Sequence, residues 1–269
     1  MTTSIIVLGA AGRMGLAILR CAAEDPAFEI AGGVERADSA AVGRAVGDLL
    51  GRADLAAPVA DSPAKLTISK KCVAIDFSSP QATIANLAWS VERGFPAVIG
   101  TTGLDAGQKR EIADAARRIP VVFAPNMSVG VNTLFKIVGD VARILGDAYD
   151  VEIAEMHHRF KKDAPSGTAR RLGEIVAEAR GAKYEDLVVD GRSGITGERP
   201  ARQIGMHALR GGDVVGEHTV TFATLGERIE LTHRAHSRDT FARGALRAAQ
   251  WVADRKAGLY DMQDVLGIK

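Results

Sequence analysis

The sequence has little cysteine and no long hydrophobic run. Its two cysteines, Cys21 and Cys72, fall on a predicted buried helix face and at a predicted strand start, so they form neither a disulfide framework nor a metal-ligand set. No apolar run reaches the ~18 residues that a membrane-spanning helix needs, and the N-terminal segment lacks the basic region of a signal peptide. We therefore expect a protein of a reducing, cytoplasmic compartment that has no membrane partner.

An excess of charge of either sign is also absent. The 269 residues include 34 Lys and Arg against 33 Asp and Glu, which gives a formal net charge of +1. Proteins that bind nucleic acids through a general electrostatic surface carry a larger basic excess, so we expect no nucleic-acid partner. The hydrophobic fraction of 46% and the charged fraction of 25% are those of an ordinary globular protein, long enough for one large or two modest domains.

A glycine-rich turn follows the first apolar run of the chain. Residues 4–8 have the composition of a strand that is buried on both faces, and they lead into Gly9-Ala-Ala-Gly-Arg-Met-Gly15 and then an apolar helix. The order strand, glycine turn, helix predicts a dinucleotide-binding site, although the spacing G-x-x-G-x-x-G departs from the commoner G-x-G-x-x-G. No Gly-Lys-Ser/Thr follows, which excludes a P-loop. A purely structural turn is the alternative.

An acidic and a basic residue end the second predicted strand, residues 28–34. Glu35, 20 positions after Gly15, is placed to accept a hydrogen bond from an adenosine ribose hydroxyl. Arg36 could instead meet a 2′-phosphate. Because the two signals conflict, we predict that both NADH and NADPH are used. The alternative is that the two side chains form a surface ion pair.

Further strands and helices alternate through the first half of the chain. We predict strands at residues 73–77, 97–99 and 121–124, with helices at 81–93 and 105–117. This alternation predicts a Rossmann-like, doubly wound parallel sheet, in which ligands bind at the carboxyl ends of the strands. The turns at residues 100–102 and 124–127 lie at such ends and are predicted to line the nicotinamide. Residues 37–63 are rich in Ala and Gly and offer little chemistry.

The pattern changes after a long predicted helix, residues 128–145. We predict next a strand at 150–156, a helix at 166–180, a polar loop at 190–202, strands at 203–210, 214–222 and 228–233, and a helix at 240–256. Consecutive strands joined by short turns indicate a mixed or antiparallel sheet. The predicted fold class is therefore α/β with two domains. Residues 1–127, completed by 239–269, form the dinucleotide-binding domain, and residues 128–238 form an α+β domain that binds substrate and mediates oligomerisation.

The most informative stretch spans residues 155–169 and reads EMHHRFKKDAPSGTA. It carries several basic side chains close together, namely His157, His158, Arg159, Lys161 and Lys162. The alternative is a purely structural role, with a partly buried histidine pair followed by a solvated lysine-rich loop. Metal binding by the two histidines is disfavoured, since adjacent strand residues point to opposite faces and no cysteine or acidic cluster lies at ligand spacing. We therefore expect no metal.

The second half of this stretch starts a predicted amphipathic helix. Ser166 suits the N-cap position, and the N–H groups of Gly167 and Thr168 would lie in the first turn, where helices bind anions. Lys161 would add a positive charge. The stretch is therefore predicted to hold a carboxylate beside an imidazole that titrates near neutrality.

With these segments assembled, the sequence resembles the dihydrodipicolinate reductases (4-hydroxy-tetrahydrodipicolinate reductases) of bacterial lysine and diaminopimelate biosynthesis. The motifs that carry the resemblance run nearly from end to end: residues 9–15, Glu35-Arg36, Asp76-Phe77, 100–103, 125–129, 155–169 and the run RGGDVVGEH at 210–218. The His-His-x-x-Lys-x-Asp-x-Pro-Ser-Gly-Thr element is the most specific of them. The sequence departs from this pattern at no position that we identify.

The resemblance implies reduction of 4-hydroxy-tetrahydrodipicolinate, a cyclic dicarboxylate, by NADPH or NADH in a homotetramer whose hinge closes over bound ligands. His157 is similar to the family's proton donor and acceptor, and Lys161 to its second proton donor. The residues that match substrate contacts are His158, Ser166, Gly167 and Thr168. Those that match cofactor contacts are Gly9, Ala10, Ala11, Gly12, Arg13, Met14, Glu35, Arg36, Gly100, Thr101, Thr102, Ala124, Pro125, Asn126 and Met127.

Two other functions are compatible with parts of the sequence. One is a different two-domain NAD(P) oxidoreductase, such as an amino-acid or semialdehyde dehydrogenase; the semialdehyde type would need a catalytic cysteine, and Cys21 and Cys72 are predicted in core elements. The other is a non-catalytic sensor that binds a dinucleotide. A sensor would need no reactive groups in the second domain, so His157 and Lys161 argue against it.

Overall fold

The structure, a computed structural model, describes residues 2–68 and 71–269. Met1, Ser69 and Lys70 of the predicted first domain lie outside the described residues. The chain divides into two compact units. The first combines the N-terminal part, up to Val129, with Arg238–Gly267, and the second is Gly130–Ser237.

A parallel sheet forms the centre of the first unit. Its strands within the described residues are β1 (Thr3–Leu8), β2 (Phe28–Val34), β3 (Val59–Ala60), β4 (Val73–Asp76), β5 (Ala97–Ile99), β6 (Pro120–Phe123) and β12 (Gly258–Tyr260). They are arranged in the order β12-β6-β5-β4-β1-β2-β3, and every recorded pairing is parallel. The order reverses between β1 and β4, which is the point where doubly wound sheets bind ligands. The predicted doubly wound sheet is confirmed.

Helices cover this sheet because its strands are apolar on both faces. Ile5, Ile6 and Ile75 are fully buried, as expected for central parallel strands. The helices of the first unit are α1 (Arg13–Ala23), α2 (Val46–Leu50), α3 (Pro80–Arg93), α4 (Ala106–Ala115), α8 (Asp239–Val252) and α9 (Met262–Leu266). Helix α8 buries its alanine-rich face in the same core as α1. It ends at Val252, earlier than the predicted residue 256, and the following edge strand β12 was not predicted.

The second unit contains a mixed sheet. Its elements are α5 (Val129–Leu145), β7 (Asp150–His157), α6 (Gly167–Ala179), α7 (Tyr184–Leu187), β8 (Val188–Asp190), β9 (Ile204–Arg210), β10 (Gly216–Thr224) and β11 (Glu227–Ala235). The strand order is β11-β10-β7-β9-β8, with β7 parallel to β9 and antiparallel to β10. The predicted mixed sheet is confirmed. Alternate residues of β7 and β10, such as Val151, Ile153 and Phe222, pack in one core with α6.

The connections of this sheet place β7 at its centre. Leu225 and Gly226 form a two-residue hairpin between β10 and β11, and Gly226 has the positive φ (+96°) that such turns require. In contrast, β9 and β10 are consecutive in sequence but flank β7 on opposite sides. The carboxyl end of β7, which carries Glu155 and His157, therefore has a neighbouring strand on each side. Among the described residues, no helix is both long and apolar enough to cross a membrane.

Candidate active site

The glycine turn after β1 is held tightly in the first unit. Gly9 has a positive φ (+83°), and a Cβ at this position would lie 2.9 Å from the Phe77 carbonyl oxygen. A Cβ at Gly15 would lie 2.1 Å from the Gly9 carbonyl oxygen. Any side chain at either position would thus clash with backbone. These glycines let α1 start directly against the turn, as the dinucleotide-binding motif requires.

The N–H groups of the turn itself already have acceptors. Gly9 and Ala10 donate to the Val34 carbonyl, at 2.9 and 3.0 Å, and Gly12 donates to the Gly9 carbonyl. Ala11 donates to Oε1 of Glu35 at 2.8 Å. The part of this region that suits an anion is therefore the first turn of α1, which begins at Arg13, rather than the N–H groups of the preceding residues.

Two cavities of the first unit adjoin this turn and share Gly12, Phe77 and Ser78. The first, of about 570 Å³, is lined by Gly9, Gly12, Val34, Glu35, Arg36, Asp61, Ser62, Pro63, Ala64, Phe77, Ser78, Ser79, Ala82, Ala85, Asn86 and Trp89. The second, of about 430 Å³, is lined by Gly12, Arg13, Met14, Phe77, Ser78, Gly100, Thr101, Thr102, Pro125, Asn126, Met127 and Phe241. Most predicted cofactor residues line one of the two. Three of them line neither cavity: Ala10 and Ala124 are buried in the hydrophobic core, and the partly buried Ala11 packs against it.

A buried carboxylate organises the walls of these cavities. Asp76, at the end of β4, is 3% exposed, and its Oδ1 accepts hydrogen bonds from the hydroxyls of Ser78, Thr83 and Thr101. Its Oδ2 accepts from Nδ2 of Asn86 at 2.9 Å. These bonds join the ends of β4 and β5 to the first turns of α3. Asp76 therefore fixes the loops that border both cavities, a role that its position at a strand end did not reveal.

The reactive groups of the second unit meet at the end of β7. Nδ1 of His157 lies 2.6 Å from Oε2 of Glu155, whose side chain is fully buried. Arg210, at the end of β9, binds both oxygens of Glu155, at 2.8 and 2.9 Å. The ring of His218 on β10 lies edge-on to that of His157, with centroids 5.2 Å apart. Three neighbouring strands thus contribute to one cluster.

The electrostatics of this cluster favour an ionised carboxylate beside a neutral imidazole. Burial alone would raise the pKa of Glu155, but hydrogen bonds from Arg210 and His157 bring it below its ordinary value. Burial lowers the pKa of His157, and Glu155 offsets only part of this effect, while Lys161 and Arg210 lower the pKa further. His157 is consequently less readily protonated than a solvated histidine.

The predicted helix start is confirmed. Ser166 is the N-cap of α6, and its Oγ accepts a hydrogen bond from the N–H of Ala169 at 3.2 Å. Gly167 and Thr168 occupy the first turn. The Ser166 hydroxyl also lies 3.1 Å from Nε2 of the buried His218. The N-terminus of α6 is thus tied directly to the His157 cluster.

Lys161 precedes the N-cap Ser166 in the sequence, and its side chain forms an ion pair. Its Nζ contacts both carboxylate oxygens of Asp163, at 2.8 and 2.9 Å. This contact lowers the pKa of Asp163. Asp163 is largely exposed, so a ligand carboxylate can compete for Lys161 at little desolvation cost. His158 follows the strand, and its Nδ1 is buried without a recorded partner among the described residues.

The comparisons with known proteins agree with this geometry. Two family models match the chain, Dihydrodipicolinate reductase, N-terminus, over residues 3–127, and Dihydrodipicolinate reductase, C-terminus, over residues 130–266. The chain belongs to the dihydrodipicolinate reductase family. The resemblance inferred from the sequence is therefore confirmed.

Relatives within the dihydrodipicolinate reductase family match the chain over its full length. The 4-hydroxy-tetrahydrodipicolinate reductase of Anaeromyxobacter dehalogenans (strain 2CP-C) is 52% identical, over 99% of this chain and 98% of that protein. The enzyme of the same name from Chromobacterium violaceum is 48% identical over all of both chains. A solved structure of dipicolinate-bound dihydrodipicolinate reductase from Paenisporosarcina sp. TG-14 has a TM-score of 0.75 at 23% identity, covering 98% of this chain and 99% of that one. This last likeness shows the shared fold.

The two cysteines of this dihydrodipicolinate reductase family member are unsuited to covalent catalysis. Cys21 and Cys72 are 2% and 1% exposed, respectively. Burial raises the pKa of both thiols, that of Cys72 to about 12, so neither forms a thiolate readily. A semialdehyde-dehydrogenase chemistry, which needs a reactive cysteine, is therefore not supported.

Residues 61–64 overlap the end of the segment 37–63, in which the sequence indicates little chemistry. They follow β3 and line the larger of the two cavities together with Glu35. Their position in the sequence could have indicated this, because a polar Asp-Ser-Pro turn directly after a short apolar strand lies at the carboxyl edge of a parallel sheet, where ligands bind. The local sequence pattern likewise indicates no role for Glu155, Arg210 and His218, although all three lie in motifs that resemble the family.

The buried neutral His218 is expected to destabilise the protein in acid. Burial, followed by the charge of His157, lowers the pKa of His218 to about 3. A histidine whose folded-state pKa lies below its unfolded value of about 6.5 stabilises the fold fully above pH 6.5 and progressively less as the pH falls. The loss approaches 1.4 kcal/mol per pH unit, or roughly 2–3 kcal/mol between pH 6.5 and 4.5.

Urea unfolding of the wild type and of His218→Gln at pH 7.0 and pH 4.5 measures this contribution. We expect the difference in unfolding free energy between the two pH values to be about 2 kcal/mol smaller in the variant. Equal pH dependence in the two proteins would show that His218 is not held neutral.

Proposed function

We propose that this chain is a 4-hydroxy-tetrahydrodipicolinate reductase. It converts 4-hydroxy-tetrahydrodipicolinate to tetrahydrodipicolinate in diaminopimelate and lysine biosynthesis: the hydroxyl leaves as water, and the ring gains a hydride from NADPH or NADH and one proton. The observation that carries the proposal is the grouping of His157, His218 and the N-cap of α6, with the charge of Lys161 acting on His157, in a chain that matches the family over residues 3–127 and 130–266. We further propose that the first domain (1–127 with 239–269) binds the dinucleotide and that residues 128–238 bind the substrate.

The residues of the first unit fit a dinucleotide. The close backbone approach at Gly9 and Gly15 leaves room for a pyrophosphate at the start of α1, and the two adjoining cavities suit an adenosine and a nicotinamide. Thr101, Thr102, Asn126 and Met127 line the second cavity and would orient the nicotinamide ring. When bound, the reduced nicotinamide supplies the hydride.

The second unit supplies anion recognition and a proton. The N–H groups of Gly167 and Thr168 in the first turn of α6, with the Ser166 hydroxyl, suit one carboxylate of a cyclic dicarboxylate. Lys161 provides the counter-charge after exchange of its contact with Asp163. His157 donates a proton to the electron-rich product of hydride addition, and His158 completes the substrate contacts. A bound dianion also favours the charged form of His157, which offsets its burial.

A coupled assay tests this function. The substrate is generated in place from pyruvate and aspartate semialdehyde by a synthase, and absorbance at 340 nm is followed with NADPH and then with NADH. We expect oxidation that requires the synthase product. Tight dinucleotide binding without such oxidation would leave the first unit as a cofactor domain and return the second to the sensor or other-dehydrogenase hypotheses.

Arg36 is expected to discriminate between the two cofactors. Its side chain is 80% exposed and contacts Asp38 at 3.5 Å, so it can turn to a 2′-phosphate. Oε1 of Glu35 accepts from the N–H of Ala11, and Oε2 accepts from the N–H of Arg36 at 3.2 Å. A carboxylate oxygen has a second lone pair, so Oε2 can also accept from a ribose hydroxyl. We expect Arg36→Ala to lower kcat/KM for NADPH by about 10-fold or more, with kcat/KM for NADH changed less than about twofold, since NADH has no phosphate at this position. Equal losses with both cofactors would place Arg36 outside the phosphate site.

We also propose a cytoplasmic homotetramer assembled through the second domain. Support comes from the edge strand β11 and from exposed apolar side chains of that unit, Leu209 and Ile229, which a partner subunit would cover. Light scattering coupled to size-exclusion chromatography measures the subunit number directly. A monomeric mass at assay concentration would contradict this proposal without affecting the catalytic one.

A further inference from the structure

A fully buried carboxylate lies beneath His157. The Glu155 side chain points toward the covered face of the sheet, and its directly paired residue on β10 is His218. Burying an unpaired carboxylate costs several kcal/mol, and this cost is offset only by complete pairing. The pairing is complete here, because Oε1 accepts from Arg210 and from the Ser166 N–H (3.1 Å), and Oε2 accepts from Arg210 and His157.

The direction of the bond to His157 is set by this environment. A carboxylate held by a bidentate arginine has no proton to give, so the hydrogen between Oε2 and Nδ1 belongs to the imidazole. In the neutral ring this leaves Nε2 as the basic atom. Nε2 has no recorded hydrogen-bond partner in the described part of the chain, and the His157 side chain is 12% exposed.

The space around Nε2 depends on a glycine. Gly216 starts β10, and a Cβ built on it would lie 3.0 Å from Nε2 and 3.4 Å from Cδ2 of His157. A side chain there would crowd the imidazole edge. The glycine keeps that edge open, while the opposite edge is occupied by Glu155.

Arg210 connects the pair of Glu155 and His157 to the loop between β7 and α6, which carries Lys161. Besides Glu155, its Nη2 donates to the carbonyl of Asp163 at 2.7 Å. Glu155 accepts from the N–H of Ser166, the N-cap of α6. One buried ion pair therefore spans β7, β9 and the loop that carries Lys161. The charged or titratable groups that face His157 are Glu155, Lys161, Arg210 and His218.

We propose that Glu155 and Arg210 are positioning residues for proton transfer: Glu155 holds the Nδ1–H tautomer of His157 so that Nε2 exchanges the proton with substrate, and Arg210 holds Glu155. The inference rests on the proposed function for the identity of the substrate. The Nδ1–H tautomer of His157 follows from the hydrogen bonds of Glu155 and Arg210 and does not depend on the identity of the substrate. A carboxylate that orients a catalytic histidine in this way also stabilises the imidazolium.

The test combines imidazole ¹⁵N NMR with kinetics on the full-length protein. Glu155→Gln removes the charge and leaves a side chain of the same size. Glu155→Asp keeps the charge but shortens the reach, and Arg210→Lys keeps a cation but cannot bind both oxygens. Glu152→Gln is the matched control. Glu152 lies on the same strand but on the opposite face, and it pairs with a histidine, His207, and with two arginines, Arg192 and Arg199, where Glu155 has one.

We expect the wild-type spectrum to show neutral His157 protonated at Nδ1. In Glu155→Gln, the titration midpoint of His157 should fall, and the tautomer should mix or invert, because the carboxylate that favours both Nδ1–H and the imidazolium is lost. kcat at pH 7.5 should fall about 10-fold or more, with the KM for NADPH unchanged. Glu155→Asp should restore part of kcat, and Arg210→Lys should give an intermediate loss. Glu152→Gln should match the wild type in both measurements.

Two results would overturn the inference. One is an Nε2–H tautomer of His157 in the wild type. The other is a Glu155→Gln protein that is folded and has the wild-type titration and kcat. If instead Glu155→Gln changes the His157 spectrum as expected but the wild type does not reduce the synthase product, the positioning inference holds and the proposed substrate is wrong.

Discussion

Replacing His157 with glutamine is expected to lower kcat by about 10²–10⁴-fold, the usual contribution of a general acid. Glutamine can still accept or donate a hydrogen bond near Glu155, but it cannot carry a proton to the substrate. His157 belongs to the second unit, whereas the residues that line the two cavities proposed to bind the dinucleotide belong to the first. The dissociation constant for NADPH, measured by quenching of protein fluorescence, should therefore stay within about twofold of the wild-type value.

The chain offers a matched control for this substitution in His207. Its Nε2 lies 2.7 Å from Oε2 of Glu152, so it forms a histidine–glutamate pair of the same kind on the neighbouring strand. We expect His207→Gln to leave kcat within about twofold of the wild type, because His207 is on the face of the sheet away from α6. Unaltered turnover in His157→Gln would remove this histidine from the mechanism. Equal losses in both variants would indicate a general structural effect.

Periodicity and composition were sufficient for the elements that have a strong local signal. The predicted strands at residues 28–34 and 97–99 agree with β2 and β5 to the residue. β-Strand β12 was missed because three half-exposed residues, Gly258–Tyr260, leave no apolar pattern. The central position of β7 was also beyond local reasoning, since strand order depends on pairing between distant segments rather than on short-range propensity.

The candidate site was predictable where its residues are close in sequence. Residues 155–169 contain the imidazoles, the lysine and the helix N-cap, and their types alone indicated anion binding beside a titrating group. The groups that hold them are distant: Arg210 is 55 positions from Glu155, and His218 is 52 positions from Ser166. The sequence around an arginine or histidine in a strand does not predict which distant residue it will contact. Only the register of β7 with β9 and β10 brings them together.

Burial also changes what the local reading implied about His157. From its type, this residue was expected to titrate near pH 6.5, whereas burial and the nearby cations lower its pKa. In the proposed mechanism, an anionic substrate would therefore favour the protonated form of His157 that the free protein disfavours. Lys161 would attract the substrate carboxylate, and its charge also lowers the pKa of His157.

Lys161→Ala is expected to lower kcat/KM for the dicarboxylate by roughly 10²-fold, with a rise in KM and a fall in kcat. A charge-assisted hydrogen bond contributes about 1.5–3 kcal/mol, and here it acts in the ground state and in the transition state. Lys161→Arg separates the positive charge of Lys161 from its expected role as a proton donor. Arginine keeps the positive charge but does not release a proton, so KM should recover more than kcat. Steady-state kinetics with varied substrate at saturating NADPH gives both constants.

Asp163→Asn provides the opposing control, because it removes the carboxylate that now holds Lys161 through both oxygens. Freed from this partner, Lys161 should bind the substrate carboxylate at no competitive cost, so KM should be equal to or lower than that of the wild type. Because Asp163 is largely exposed, we expect this substitution to change the free energy of unfolding by no more than about 1 kcal/mol, the usual contribution of an exposed ion pair. If Lys161→Ala instead impaired only the KM for NADPH, Lys161 would belong to the cofactor site and the assignment of the anion at α6 would be wrong.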